Sequence, residues 1–127
     1  MKLAYVDTSC LVAVAFGESG SKRVLARMGS FGRLLSSNLL EAELRATLAR
    51  EAVEADPGEL LSWIGWFHPD RPLTIEFRRV LEQGYVRGAD LWHLACALFL
   101  AERLGKITFL TLDKRQRDSA RALGFGV

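Results

Sequence analysis

Four acidic residues have the side-chain type and the placement that divalent-metal chemistry requires. Asp7 directly follows the apolar run Leu3 to Val6, and Asp113 lies three residues after a similar run, Ile107 to Leu110. Continuous apolar runs of this length suit strands buried on both faces of a parallel sheet. Both carboxylates should therefore lie at the carboxyl edge of that sheet, where sites form in α/β folds. Asp90 stands at the head of the most apolar stretch of the chain. The fourth acid lies on a predicted helix: Glu43.

The helix phase separates Glu43 from its neighbour Glu41. At about 100° per residue, with Leu39 at zero, the leucines at positions 40, 44 and 48 fall at roughly 100° to 180°. Together with Leu39, these leucines span an arc from 0° to about 180°. Glu43 falls at about 40°, inside this arc, and Glu41 at about 200°, beyond its edge. A carboxylate on a core-facing stripe is costly unless it is paired or binds a metal. A buried ion pair with an arginine is the structural alternative.

Together the four acids indicate a site that binds one or two Mg²⁺ or Mn²⁺ ions. Carboxylates gathered at one edge repel one another and raise each other's pKa, which a hard cation with oxygen ligands relieves. Such a metal lowers the pKa of a bound water, and a second metal stabilises the leaving oxygen of a phosphodiester. The chain has only two histidines and no Gly-rich phosphate loop. For each aspartate alone, capping a helix is the open alternative, because Asp is a favoured N-cap residue.

The elements that must position these acids alternate between strand and helix, which predicts an α/β fold with a mostly parallel sheet of four or five strands. The predicted strands are Leu3 to Val6, Arg33 to Ser36, Pro72 to Ile75, Ile107 to Leu110 and, as the fifth, Phe125 to Val127. The predicted helices are Thr8 to Phe16, Glu18 to Met28, Asn38 to about Glu54, a helix from Asp56-Pro57 that carries Leu60, Leu61, Trp63, Ile64 and Phe67, then Glu76 to Gly84, a helix opened by Gly88 and buried over Leu91 to Leu104, and Lys114 to Leu123.

Composition bounds the class of protein. A chain of 127 residues, half of them hydrophobic, fits a single domain over residues 1–127 with its own core. The net charge of +2 is unlike that of a protein that coats DNA. Cys10 and Cys96 form no C-x-x-C pair and read as buried thiols. The apolar segment Leu11 to Phe16 is too short to span a bilayer, and Asp7 interrupts any signal peptide. We expect a soluble cytoplasmic protein without a membrane segment.

With these motifs in order, the chain resembles the PIN-domain ribonucleases, most closely the VapC-type toxins of bacterial and archaeal toxin–antitoxin pairs. The resemblance covers essentially the whole chain. It is carried by an opening D-T-S motif, a segment bearing the family's catalytic glutamate, a D-x-x-H-L-A helix start, a T-x-D motif and the family's usual ending. In this sequence these are Asp7-Thr8-Ser9, Ser36 to Ala46, Arg87 to Ala95, Leu110 to Asp113, and Ala122 to Phe125.

The resemblance implies a three-layer α/β/α PIN-like domain, in which helices cover both faces of the parallel sheet, and a metal-dependent endoribonuclease activity. Its carried-over catalytic and metal-binding acids are Asp7, Glu43, Asp90 and Asp113. Ser9 and Thr111 resemble hydroxyls that orient carboxylates. It also implies an RNA substrate, a small antitoxin partner that wraps around the toxin, and a homodimer. Apolar segments over Leu25 to Met28 and Leu60 to Phe67 could present a groove to a partner helix or serve the dimer.

Other residues have competing readings. His93 lies three residues after Asp90, but in the resembled family this histidine is packed rather than ligating. Arg87, Lys114 and Arg115 flank the acids and could contact RNA phosphates or form a solvated basic face, and the same holds for Arg117. Trp63, Trp66 and Phe67 read as core or dimer face rather than as base-stacking residues.

Rival functions remain. A phosphotransfer receiver would need adjacent acids after the first strand, and a D-x-D phosphatase would need an aspartate at position 9, which is Ser9. A housekeeping RNA-processing PIN nuclease and a catalytically silent PIN scaffold stay open.

Overall fold

Four short strands form one parallel sheet in this computed structural model, which describes all 127 residues. The order across the sheet is β3-β2-β1-β4, so β1 and β4 are hydrogen-bonded neighbours although about a hundred residues separate them in the chain. The strand order reverses at this pair, which is where ligand sites form in open α/β sheets. The strands are β1 (Leu3–Val6), β2 (Arg33–Ser37), β3 (Ile64–Phe67) and β4 (Ile107–Leu110).

Seven helices cover the two faces of the sheet and complete the predicted three-layer α/β/α fold. Their bounds are α1 (Thr8–Ala15), α2 (Ser21–Gly29), α3 (Leu39–Arg50), α4 (Gly58–Leu61), α5 (Thr74–Glu82), α6 (Gly88–Leu104) and α7 (Lys114–Ala122). No helix is long and apolar enough to cross a membrane.

Alternating side chains of β1 divide the interior into two cores. Tyr5 packs on one face with the buried side of α6, whereas Ala4 and Val6 pack on the other face with the leucines of α3. This is the pattern expected when both faces of a parallel sheet are covered. The α6 helix is buried continuously from His93 to Leu100, which confirms the centre of the predicted buried stretch, whereas its last turn is exposed and Leu104 is 52% exposed.

The third strand is the main correction to the prediction. Residues Pro72 to Ile75 form no strand, and Ile64 and Phe67 lie in β3 rather than in the preceding helix, which ends at Leu61. Gly65 pairs closely with β2: a Cβ there would lie 3.0 Å from the Arg33 side chain, which would have to shift to make room. The predicted fifth strand is reduced to one parallel bridge between Thr108 and Gly126.

One charged side chain is buried away from the sheet edge. Glu76 on α5 is almost fully buried and accepts two hydrogen bonds from the Arg71 guanidinium, at 3.0 and 2.8 Å. The same guanidinium lies over the Phe99 ring, 4.9 Å from its centroid. This pair ties the segment before α5 to α6 and has no contact with the acids predicted to bind metal.

An apolar groove of about 600 Å³ lies between α2 and the start of β3. Leu25 and Met28 line one side of it, and Trp63 and Ile64 line the other. The predicted groove therefore exists, although its second wall is a strand and a turn rather than a helix. Its occupant stays a prediction.

Candidate active site

A cleft of about 450 Å³ opens at the carboxyl ends of β1 and β4, where the strand order reverses. Each predicted acid reaches it from a different element: the end of β1, the middle of α3, the first turn of α6 and the start of α7. The four acids that line the cleft are Asp7, Glu43, Asp90 and Asp113.

Asp7 is the most enclosed of the four, at 4% exposed. Its backbone N–H donates to the Leu110 carbonyl at 3.1 Å, which fixes the residue between β1 and β4. The Ser9 hydroxyl donates to Oδ1 at 2.6 Å, and the Thr111 hydroxyl donates to Oδ2. Burial raises the pKa of Asp7, and these two hydrogen bonds oppose that rise. Both hydroxyls thus occupy the positions expected of groups that orient a carboxylate.

Glu43 is held by donors that the sequence analysis did not assign to it. The Thr8 hydroxyl donates to Glu43 Oε1 at 2.6 Å, and His93 Nε2 lies 3.0 Å from the same oxygen. Burial alone would raise the pKa of Glu43, but the hydrogen bonds from His93 and Thr8 outweigh it and lower the pKa. The carboxylate is therefore held in its ionised form.

The proton on His93 can be assigned from its second neighbour. The Tyr5 hydroxyl lies 2.8 Å from His93 Nδ1, and burial raises the pKa of Tyr5, so the phenol keeps its proton. Tyr5 then donates to Nδ1 and accepts from the Ser37 N–H at 3.3 Å. Because the ionised Glu43 carboxylate can only accept, the proton between the two groups is on His93 Nε2, which donates to Glu43. A buried chain of hydrogen bonds thus runs from β1 through α6 to the carboxylate on α3.

The helix projection chose Glu43 over Glu41, but burial is not what distinguishes them. The two side chains are 33% and 31% exposed. Glu41 pairs with Arg45 at 2.8 Å and accepts from Asn38 on the surface of α3, whereas Glu43 faces the cleft. The predicted alternative of a buried arginine pair does not describe Glu43, whose partners are His93 and Thr8.

Only one of the three aspartates caps a helix with its side chain. Asp113 is the N-cap of α7 and accepts from the Gln116 backbone N–H at 2.9 Å. Asp7 occupies the N-cap position of α1 but makes no side-chain cap hydrogen bond. Asp90 lies inside the first turn of α6, with the Arg87 Nε 3.8 Å from its carboxylate. Burial raises the pKa of Asp90; the charge of Arg87 opposes the rise and that of Asp113 adds to it.

The donor set fits a hard divalent cation in its chemistry. All four side chains offer carboxylate oxygens, and burial with neighbouring negative charge disfavours ionised Asp90. As the side chains stand, however, no three His, Cys, Asp or Glu residues are close enough together to hold a metal ion. Small side-chain rotations, or water molecules between ligand and ion, would be needed to complete a shell.

Gln116 was missed by the sequence analysis and has an unusual environment. Its side chain is buried against the cleft, its Oε1 lies 3.1 Å from the Thr111 hydroxyl, and its Nε2 has no partner. Thr111 has only one hydroxyl proton, which Asp7 takes, so the Gln116 amide is better satisfied with its NH₂ directed at Thr111. No periodicity or motif in the sequence indicated that Gln116 would be buried beside Thr111.

The predicted basic residues have different surroundings. Arg87 lines the acidic cleft. Lys114 pairs with Asp118 at 3.3 Å, and Arg115 is exposed and forms no ion pair with the protein. Arg117 donates to the Thr111 carbonyl at 3.1 Å, so it supports the loop that carries Asp113.

Comparison with known proteins decides the family. A sequence model of the PIN domain matches residues 4–122, which is nearly the whole chain. The chain belongs to the PIN-domain family. Its relatives include Ribonuclease VapC45 and Ribonuclease VapC49 of Mycobacterium tuberculosis, each 32% identical over 138 aligned positions that cover 98% of this chain and 93% of the relative. It is therefore a PIN protein of the VapC type, as its motifs predicted.

Proposed function

We propose that the protein is a Mg²⁺- or Mn²⁺-dependent endoribonuclease that hydrolyses RNA phosphodiester bonds at the acidic cleft. The observation that carries the proposal is the convergence of four carboxylates, from four separate elements of a PIN fold, on one cleft. The relatives' name, ribonuclease, supports RNA as the substrate. A protein that used these acids only as helix caps would have no reason to enclose Asp7.

In this proposal one or two Mg²⁺ or Mn²⁺ ions are bound by four carboxylates, those of Asp7, Glu43, Asp90 and Asp113. When bound, the metal supplies a nucleophile by lowering the pKa of a water molecule. The chain's own contribution is orientation: Ser9 and Thr111 hold Asp7, and Thr8 with His93 holds Glu43.

The basic residues act on the substrate in this proposal. Four acids in one cleft repel a phosphodiester, so a cation beside them is needed to bring RNA close. Arg87 lines the same cleft and is three-quarters exposed, so its guanidinium, which lies 3.8 Å from Asp90 through Nε, can also contact a phosphate from the solvent side. Lys114 and Arg115 follow Asp113 directly and extend this positive edge.

Cleavage of RNA by the purified protein tests the proposal. Activity should require Mg²⁺ or Mn²⁺, should stop in EDTA, and should be lost in Asp7→Asn and in Asp90→Asn. Asp70→Asn is the matched control, because Asp70 is exposed and lies outside the cleft. Cleavage that persists in EDTA, or in both cleft variants, would refute a metal-dependent nuclease.

We further propose that the protein is the toxin of a toxin–antitoxin pair, with a small antitoxin and a second copy of the chain as its partners. An open acidic nuclease cleft would endanger the host unless a partner restrains it. Expression of the wild-type chain alone should stop bacterial growth, Asp7→Asn should be harmless, and the product of the neighbouring gene should co-purify and restore growth. Normal growth with abundant wild-type protein and no co-purifying partner would favour a housekeeping RNA-processing nuclease. Absence of any cleavage would favour a silent scaffold.

A further inference from the structure

A second cleft adjoins the acidic one and has the composition of a nucleotide-binding surface. Its volume is about 510 Å³, and its walls are the segment before α6 and the first turns of α7. Both walls continue into the acidic cleft: Tyr85 is two residues before Arg87, and Lys114 directly follows Asp113. A strand of RNA that leaves the acidic cleft along this side would enter the second cleft next.

Tyr85 is the most distinctive residue of this second cleft. It is 72% exposed, whereas the next residue, Val86, is 4% exposed and packs in the core under α6. The buried valine anchors the segment, so the aromatic ring is presented to solvent from a fixed backbone. An exposed aromatic ring on a rigid support is costly to hydrate and is the group on which unpaired bases stack.

The opposite wall supplies positive charge. Arg115 is exposed and unpaired, while Lys114 and Arg121 share the carboxylate of Asp118, at 3.3 and 3.2 Å. Asp118 is thus paired with two cations, and Arg115 is the basic residue of this wall that has no acidic partner. Arginine without a protein partner, beside a free aromatic ring, matches the pairing of phosphate contact with base stacking that single-stranded RNA requires.

We propose that this cleft is a substrate subsite that binds one unpaired nucleotide of the RNA beside the scissile phosphate, with Tyr85 stacking on its base and Arg115 contacting its phosphate. The inference rests on the proposed ribonuclease function. It adds a preference for single-stranded over duplex RNA, because a base stacked within a helix cannot reach the ring.

Binding to a fluorescein-labelled, random-sequence 12-nucleotide RNA, measured by anisotropy in EDTA, separates this subsite from catalysis. Tyr85→Ala should weaken binding about tenfold at any salt concentration, since stacking is largely insensitive to salt. Tyr85→Phe keeps the ring and should bind as the wild type does. Arg115→Ala should weaken binding and reduce the slope of log affinity against log salt by about 0.7, the value for one phosphate on a single strand.

Arg78→Ala is the charge-matched control, because Arg78 is an exposed arginine on α5 that lines neither cleft. It should change neither the affinity nor the slope beyond the small effect of one distant charge. A 12-base-pair duplex RNA should show no difference between wild type and Tyr85→Ala.

The outcomes for the subsite and for the nuclease are distinguishable. Metal-dependent cleavage by the wild type, together with unchanged RNA affinity in Tyr85→Ala and Arg115→Ala, would overturn the subsite and leave the nuclease intact. A wild type that neither binds nor cleaves RNA would overturn both. An equal loss of affinity in Tyr85→Phe and Tyr85→Ala would overturn stacking as the mode of contact.

Discussion

Removal of the Tyr5 hydroxyl is the sharpest test of the buried hydrogen-bond chain that ends at Glu43. The change Tyr5→Phe keeps the ring and its stacking on Phe109 but deletes the oxygen that donates to His93 Nδ1 and accepts from the Ser37 N–H. Tyr5, Ser37 and His93 are all buried, so water cannot replace the lost partner.

The expected cost follows from the two groups left without a partner. Each buried, unsatisfied polar group costs about 1–3 kcal/mol, and partial relaxation brings the sum to about 2–3 kcal/mol. For a chain of this size that loss lowers the Tm by roughly 8–12 °C. Nuclease activity should fall as well, by about 10–100-fold, because His93 loses the contact that directs its Nε2 proton to Glu43.

Urea unfolding in metal-free buffer measures the stability change, and cleavage of total RNA with Mn²⁺ measures the activity change. The chain offers a matched control in its only other tyrosine, since Tyr85 is exposed and makes no hydrogen bond within the protein. Tyr85→Phe should therefore leave the free energy of unfolding within error of the wild type. If Tyr5→Phe loses less than about 0.5 kcal/mol, the assigned network and the Nε2 tautomer of His93 are wrong.

Three further predictions follow from other residues. Glu43→Gln should abolish cleavage and Glu41→Gln should retain most of it. The opposite result would mean that Glu41, on the other face of α3, is the metal ligand. Millimolar Mn²⁺ should raise the Tm of the wild type but not of Asp7→Asn, and saturation at 100 times the Kd would add about 2.7 kcal/mol; a wild type without a shift would count against the metal site. The Arg71 hydrogen bonds hold the pKa of Glu76 below its usual range, so the stability they contribute is present at neutral pH and lost as pH falls through about 4 and below. Glu76→Gln should thus destabilise the protein at pH 7 and much less at pH 3, and an equal loss at both pH values would contradict the role of the charge.

The site elements could be predicted from sequence because their signals are local. The runs before Asp7 and Asp113 are apolar on both faces, and the long apolar stretch after Asp90 can only be a buried helix. The order of the motifs along the chain then indicated the PIN family. The fold of that family added the three-layer arrangement to the α/β class that the alternation of strands and helices predicts.

The third strand was missed because the distinction is not local. Only Ser62 and Trp63 separate the apolar end of α4 from Ile64 to Phe67, so the two segments resemble one helix, and short apolar runs fit either state. Only the pairing with β2 selects the extended form. Of Pro72 to Ile75, predicted as a strand, only Leu73 is buried, and α5 already begins at Thr74.

The partners of Glu43 were missed for a similar reason. Tyr5, His93 and Thr8 lie on three elements whose contact depends on how α6 and α3 pack across β1. No spacing within the sequence encodes that contact. Burial of Glu43 was also overestimated, because the helix projection reports only the direction of a side chain and not whether a cleft lies there.

The pairing of β4 with β1 has a consequence for the order of events during synthesis. Asp7 is made about a hundred residues before Asp113, and the hydrogen bonds between their strands are what bring them to one cleft. Translation at about 5–20 residues per second takes about 1–5 s to pass from Asp90 to Asp113, and during that time the ribosome carries a chain that has three of the acids and no complete cleft. A nascent chain that still lacks β4 should therefore be unable to cut the RNA around it.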